Sequence, residues 1–305
     1  MKKLYRSLCL STLVLIAPMS ADEVDDAISR FTNSYHAGSN ALMIFTSQDL
    51  ISGGSYTFED ENDLKLYFIP YKYHFKNSSW YNYFAKFSLG YSSYTEKVNL
   101  VESLPSSRLL IETYAARIGL GVRFKTEYDI DFSLSTSLIY SYTNGDFNYG
   151  SHELKDALAR LDDVLNSSSS NYTSEVTAGV AYHKVIAEYK PYAELESSLF
   201  YTSSSFELTD YTAQSLYTKL TAGVLSPPLF TLYDVPVKLE GYFNQVFISG
   251  EMVDTFNIKN YSTLGTTFHL DATKYNEYIS EVYINFNVLK GHNIEGYNYG
   301  FGASF

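Results

Sequence analysis

The chain of 305 residues carries 22 Lys and Arg against 34 Asp and Glu, a formal charge of -12, and 17% of its residues are aromatic. That acidity, with no cluster of Lys and Arg, excludes nucleic acid as a partner, because phosphate backbones are held by such clusters. The only cysteine, Cys9, leaves no disulfide framework or thiol chemistry to explain.

The first element is a leader. Lys2, Lys3 and Arg6 form a basic start, Leu8 to Ala17 an apolar stretch, and Met19-Ser20-Ala21 a cleavage site ahead of acidic Asp22, Glu23, Asp25 and Asp26. Residues 1–21 read as a signal peptide, and Cys9 lies inside the apolar stretch without a lipobox around it. Its removal takes three basic residues and no acid, moving the formal charge from -12 to -15. Residues 22–49 follow as an N-terminal helical plug or periplasmic segment: Val24, Ile28, Phe31 and Tyr35 have helical spacing, with Asp22, Glu23, Asp25, Asp26 and Arg30 opposite. The stripe is narrow, which suits a polar lumen or the periplasm better than lipid.

From Leu50 the period becomes two. In 110–125 Tyr114, Ala116, Ile118, Leu120, Val122 and Phe124 oppose Thr113, Arg117, Gly119, Gly121, Arg123 and Lys125, and 81–95 and 130–142 split the same way. Strands are predicted near 50–59, 63–75, 81–98, 108–126, 130–147, 172–188, 191–207, 213–226, 235–250, 260–271, 278–290 and 294–305. Soluble sandwiches alternate too, but with strands of about five or six residues; roughly ten or more is the length a tilted membrane strand needs. The reading is an all-β fold, a transmembrane antiparallel up-and-down β-barrel of about 12 strands over 50–305 with an N-terminal helical segment. No later apolar run approaches the roughly 20 residues of a spanning helix. Tyr and Phe, at 30 and 20 residues, suit the interfacial girdles of such a barrel.

Connectors alternate as a barrel requires. Those at 76–80, 127–129, 190, 227–234 and 272–277 are assigned to the periplasm, and the longer ones at 99–107, 148–171, 208–212 and 251–259 to the outside. In the longest, Leu154, Leu158, Leu161 and Leu165 follow helical spacing behind a Ser151 cap, and Ser167 to Ser170 reads as a flexible run. That helix would cover the outer mouth; surface adhesion through this loop, by binding an extracellular ligand, is an alternative role.

The chain ends on Tyr297, Tyr299, Phe301, Ala303 and Phe305, all on one side of an extended strand. This resembles the C-terminal strand of Gram-negative outer-membrane β-barrels, which implies that Tyr297, Tyr299, Phe301 and Phe305 form an assembly signal read by the barrel-assembly machinery. A helix leading into about twelve strands and ending on this motif is similar to the translocator domain of autotransporters. That resemblance implies an N-terminal helix inside the barrel. Since only residues 22–49 separate leader from barrel, the expected form is solitary and passenger-less.

Lys86, Arg117, Arg123, Lys125, Asp131, Glu175, His183, Glu194, Glu196, Lys219, Lys238, Glu240 and Glu281 fall on the inward register. Mutually paired structural charge is the favoured reading, because a lone charge there is costly. Outer-membrane phospholipase would need Ser and His two residues apart on one strand with a supporting Asn, and none of the six histidines offers this; His269 and Asp271 share a face at the periplasmic end and read as incidental. No metal spacing, phosphate loop or nucleophile elbow occurs, so neither enzyme nor cofactor is expected. The functional expectation is an outer-membrane barrel with a plugged lumen; the alternative is a small porin-like channel for small solutes, and the sequence fixes no oligomeric state.

Overall fold

Thirteen strands follow one another: β1 (Gly53–Phe58), β2 (Asp63–His74), β3 (Tyr81–Val98), β4 (Ser107–Lys125), β5 (Ile130–Asn148), β6 (Ser168–His183), β7 (Lys190–Ser205), β8 (Tyr211–Leu225), β9 (Phe230–Leu232), β10 (Val235–Gly250), β11 (Asn260–Asp271), β12 (Glu281–Gly291) and β13 (Ile294–Ser304). These come from a computed structural model that describes residues 53–58, 62–75, 80–98, 106–152, 155, 159, 162, 166–205, 211–250, 253, 258–274 and 281–304. The leader, the helical segment expected over 22–49 and Phe305 lie outside the described residues.

Each strand pairs antiparallel with the next except β8, which passes over β9 to pair with β10, and β1 pairs with β13. Twelve strands thereby close on themselves, which leaves no free sheet edge for lipid to face. β9 stands outside the ring, a short hairpin partner for the first residues of β10. The expected connector at 227–234 therefore contains a strand of its own. The hairpin turns at Tyr233 and Asp234, both at positive φ (50° and 62°), the pair of left-handed residues that a type I′ turn requires.

The expected strands recur with shifted ends, and β6 shows the largest shift. Ser168 to Ser170 are its first residues rather than a flexible run, and 184–188 leaves the strand for a turn. The serines are held because they meet partners: Ser169 lies opposite Thr143, and the Ser170 Oγ is 3.1 Å from the Tyr140 hydroxyl. Strand propensity here is set by the neighbours and not by the serines themselves. In the loop above, Lys155 N donates to Ser151 O at 3.3 Å and Asn166 N to Asp162 O at 2.9 Å. The four leucines of the expected helix lie outside the described residues.

Two faces emerge from this register. Outward, Tyr67, Tyr91, Tyr114 and Tyr142 are successive cross-strand partners from β2 to β5, and Tyr140 meets Tyr172 of β6. Their rings associate, with centroids 6.1 Å apart for Tyr67 and Tyr91, 5.0 Å for Tyr91 and Tyr114, and 5.4 Å for Tyr140 and Tyr172. Toward the short-turn rim come exposed aliphatic residues such as Leu89, Ile118, Leu120, Leu134, Leu138, Val176 and Leu199, and then a second aromatic row with Trp80, Tyr83, Phe132, Tyr182 and Tyr189. An apolar band between two aromatic rows is what a bilayer solvates.

Within the described residues β1 meets β13 only from Gly54 to Phe58, whereas β3 and β4 pair from Tyr81 to Val98.

Candidate functional site in the barrel lumen

Inward-facing side chains divide the lumen by chemistry. Toward the long-loop rim they are apolar and buried: Leu64, Leu66, Phe68, Leu109, Ile111, Phe147, Val246, Ile248 and Leu289. Tyr217 of β8 and Tyr261 of β11 approach hydroxyl to hydroxyl at 3.3 Å, and the Asn298 amide donates to the Tyr56 hydroxyl of β1 at 3.3 Å. This apolar half is absent from the sequence reading, which expected small and charged inward residues. The available signal was the run of adjacent apolar residues, as in Leu109-Leu110-Ile111 or Val246-Phe247-Ile248, which puts oil on both faces of a strand.

On the β4 to β7 side hydroxyls line the wall. Thr113 and Thr143 lie 3.1 Å apart, Thr173 and Thr202 2.8 Å, and Thr177 and Ser198 2.8 Å. These satisfy one another, as buried polar groups require. Among them sits an ion pair that spans a strand: Arg117 of β4 donates to Glu175 of β6 at 2.7 Å, while its Nε donates to Ser137 of the intervening β5 at 3.2 Å. Thr177 donates to the same carboxylate at 2.9 Å. Arg117 is 5% and Glu175 1% exposed, so the pair is fully desolvated.

Toward the short-turn rim the lumen opens into a cavity of about 760 Å³ lined by β6 to β8 and β10 to β12. His269 stands in it between two carboxylates: Nε2 is 2.9 Å from Glu240, and Nδ1 is 3.2 Å from Glu281 but poorly aligned for a hydrogen bond. Tyr192 donates to Glu240 from the other side. The pairing of His269 with Asp271 is indeed not made; Asp271 instead accepts from the Thr273 backbone N at 3.1 Å and shapes the following turn.

The expected lumen charges therefore separate into groups. Arg117 and Glu175 come together; Glu196 and Lys219 are cross-strand partners; Glu194 lies 3.9 Å from His183; Glu240 and Glu281 share His269. Lys238 is the cross-strand partner of His269. Lys86, Arg123 and Lys125 lie on the β3 and β4 wall, Lys86 buried and Lys125 exposed at the rim. Of the terminal motif, Tyr297, Tyr299 and Phe301 face the lipid side, with Phe301 81% exposed.

Above the long-loop rim, Tyr149 donates to Asp162 at 2.8 Å, Asn166 donates to the same carboxylate at 2.7 Å, and Phe147 N donates to Asn166 Oδ1 at 2.7 Å. Burial first, and then the Asp162 partner, push the Tyr149 hydroxyl pKa upward, so this stitch keeps its proton in any physiological medium.

A closed antiparallel barrel with an apolar belt between aromatic rows defines an integral β-barrel of the bacterial outer membrane. The chain belongs to the solitary outer membrane autotransporter β-barrel domain family, whose model matches residues 40–299. Its fold is similar to the translocator domain of autotransporter NalP from Neisseria meningitidis, with TM-score 0.57, 10% identity, and coverage of 94% of this chain and 100% of that one. The transport unit of the autotransporter AIDA-I from Escherichia coli has TM-score 0.54 at 12% identity, covering 90% and 99% of the two chains. The β domain of the Bordetella autotransporter BrkA has TM-score 0.54 at 8% identity, covering 83% and 96%. No curated protein sequence is similar to this one.

Proposed function

We propose that the protein is a Gram-negative outer-membrane barrel with an obstructed lumen, exported by a leader over 1–21 that is cleaved and closed by residues 22–48 acting as a plug. Its partners in this reading are the membrane lipid and the barrel-assembly machinery that receives residues 297–305. The observation that carries it is the buried apolar half of the lumen, from Tyr56 and Leu64 round to Leu289. An open aqueous channel would be lined by polar groups. We assign it no enzymatic activity: His269 is held by Glu240 and Glu281, and the hydroxyls of Thr113 and Thr143, Thr173 and Thr202, and Thr177 and Ser198 pair with one another.

The 760 Å³ charged cavity favours a second reading, a passive channel for small solutes. Planar-bilayer conductance separates the two. The plug reading expects the full-length protein to conduct little and a 22–48 deletion to conduct steadily; equal steady conductance of both overturns the plug in favour of the channel. Membrane insertion is checked independently by gel mobility, where an unboiled closed barrel should migrate apart from the boiled chain.

A further inference from the structure

The short-turn half of the lumen has two unlike walls. On β8 to β12 the charges are mixed, with His269 between Glu240 and Glu281. On β2 to β4 positive charges crowd together. Lys72 and Lys86 are direct cross-strand partners, a placement in which like charges repel. Their ammonium groups lie 4.4 and 5.7 Å from the centroid of one ring, that of Phe84. Arg123 and Lys125 come next on β4, and with Lys72 they are within electrostatic reach of His74. The Phe84 ring lies over Gly121, where an added Cβ would collide with it. Glycine makes room for this packing.

Lys86 decides the reading. It is 6% exposed, and among the described residues no carboxylate lies within ion-pair distance of Lys86, Arg123 or Lys125. A lumen-facing cation with no carboxylate beside it is ordinarily offset by an anion. Around it the wall offers hydrogen-bond donors: Arg123 has Asn82 as its partner on β3 and Ser133 on β5. A planar guanidinium fork with ammonium point charges on the same wall suits a tetrahedral oxyanion, to which it can donate two parallel bonds.

We propose that this wall is a binding site for a soluble phosphate-class oxyanion, held by Lys86, Arg123 and Lys125 with Asn82 and Ser133 beside them. The site faces the lumen, away from the lipid belt, so the anion comes from the aqueous side. The test is calorimetric titration of inorganic phosphate into the full-length protein in an uncharged detergent. Saturable binding is expected, weakened about tenfold or more by Arg123→Gln and by Lys86→Met, and unchanged by Lys274→Gln at the rim. Each variant is checked for the gel-mobility shift of a folded barrel. Arg123, which is only half-buried, keeps the test standing where Lys86→Met does not fold. Absence of saturable binding, or binding that survives Arg123→Gln, overturns the site. A short-chain phosphatidic acid that binds far more tightly than inorganic phosphate would overturn the soluble source and point to a lipid headgroup. None of these outcomes bears on the conductance of the 22–48 deletion, so this site and the plug stand or fall separately.

Discussion

At the scale of single residues, the desolvated pair of Arg117 and Glu175 fixes the middle of the lumen, because its partners come from three consecutive strands. Removing one member strands the other charge where it has no water. Arg117→Met should therefore cost about 3–5 kcal/mol of barrel stability, read as a lower denaturant midpoint in refolding to lipid vesicles. Arg117→Met with Glu175→Leu should recover most of that loss, since an apolar pair of similar volume carries no unpaired charge. A double variant as unstable as the single would mean that the pair contributes through geometry instead. Both residues were legible in the sequence as inward-facing, because alternation alone assigns the face. Their pairing was not, since it depends on which strands lie two apart in the ring. The partners of His269 were hidden for the same reason: Glu240 and Glu281 are distant from it in sequence, and only the incidental character of its neighbour Asp271 could be read locally.

At the scale of elements, the turns at the short-turn rim carry an uncommon burden. Ala187 and Glu188 both have positive φ, 48° and 72°, between the paired bridge residues Ile186 and Tyr189. Neither is a residue that favours this conformation, and each L-residue there costs about 1–2 kcal/mol relative to glycine. Replacing the pair by Asn-Gly should raise stability by about 1 kcal/mol and speed refolding, measured by the same vesicle assay; unchanged stability would place the compensation in the surrounding rim. The turn escaped prediction because Lys184 to Glu188 contains no Gly, Pro, Asn or Asp, so the sequence reading carried β6 through to 188. The β9 hairpin was hidden likewise, its alternation of Phe230 and Leu232 too short to register as a strand. The long elements β3, β4 and β5 were legible throughout, since ten or so alternating residues leave one register open.

At the scale of the whole molecule, closure and the two-faced strands follow from the same pattern, and closure singles out one joint, that of the first and last strands. β1 holds β13 along Gly54 to Phe58 within the described residues, and β3 holds β4 along its full length. Every strand but one pair in such a ring can form beside a neighbour already in place; the first and last have to wait for each other. The barrel thus has an order in time written into its geometry, with the joint of β1 and β13 made last and freed first when the wall breathes. Hydrogen–deuterium exchange should show it as a gradient: amides of β1 and of Ile294 to Asn298 should exchange well before those of β3 to β5. Uniform protection around the ring would mean that the joint opens only with the whole wall.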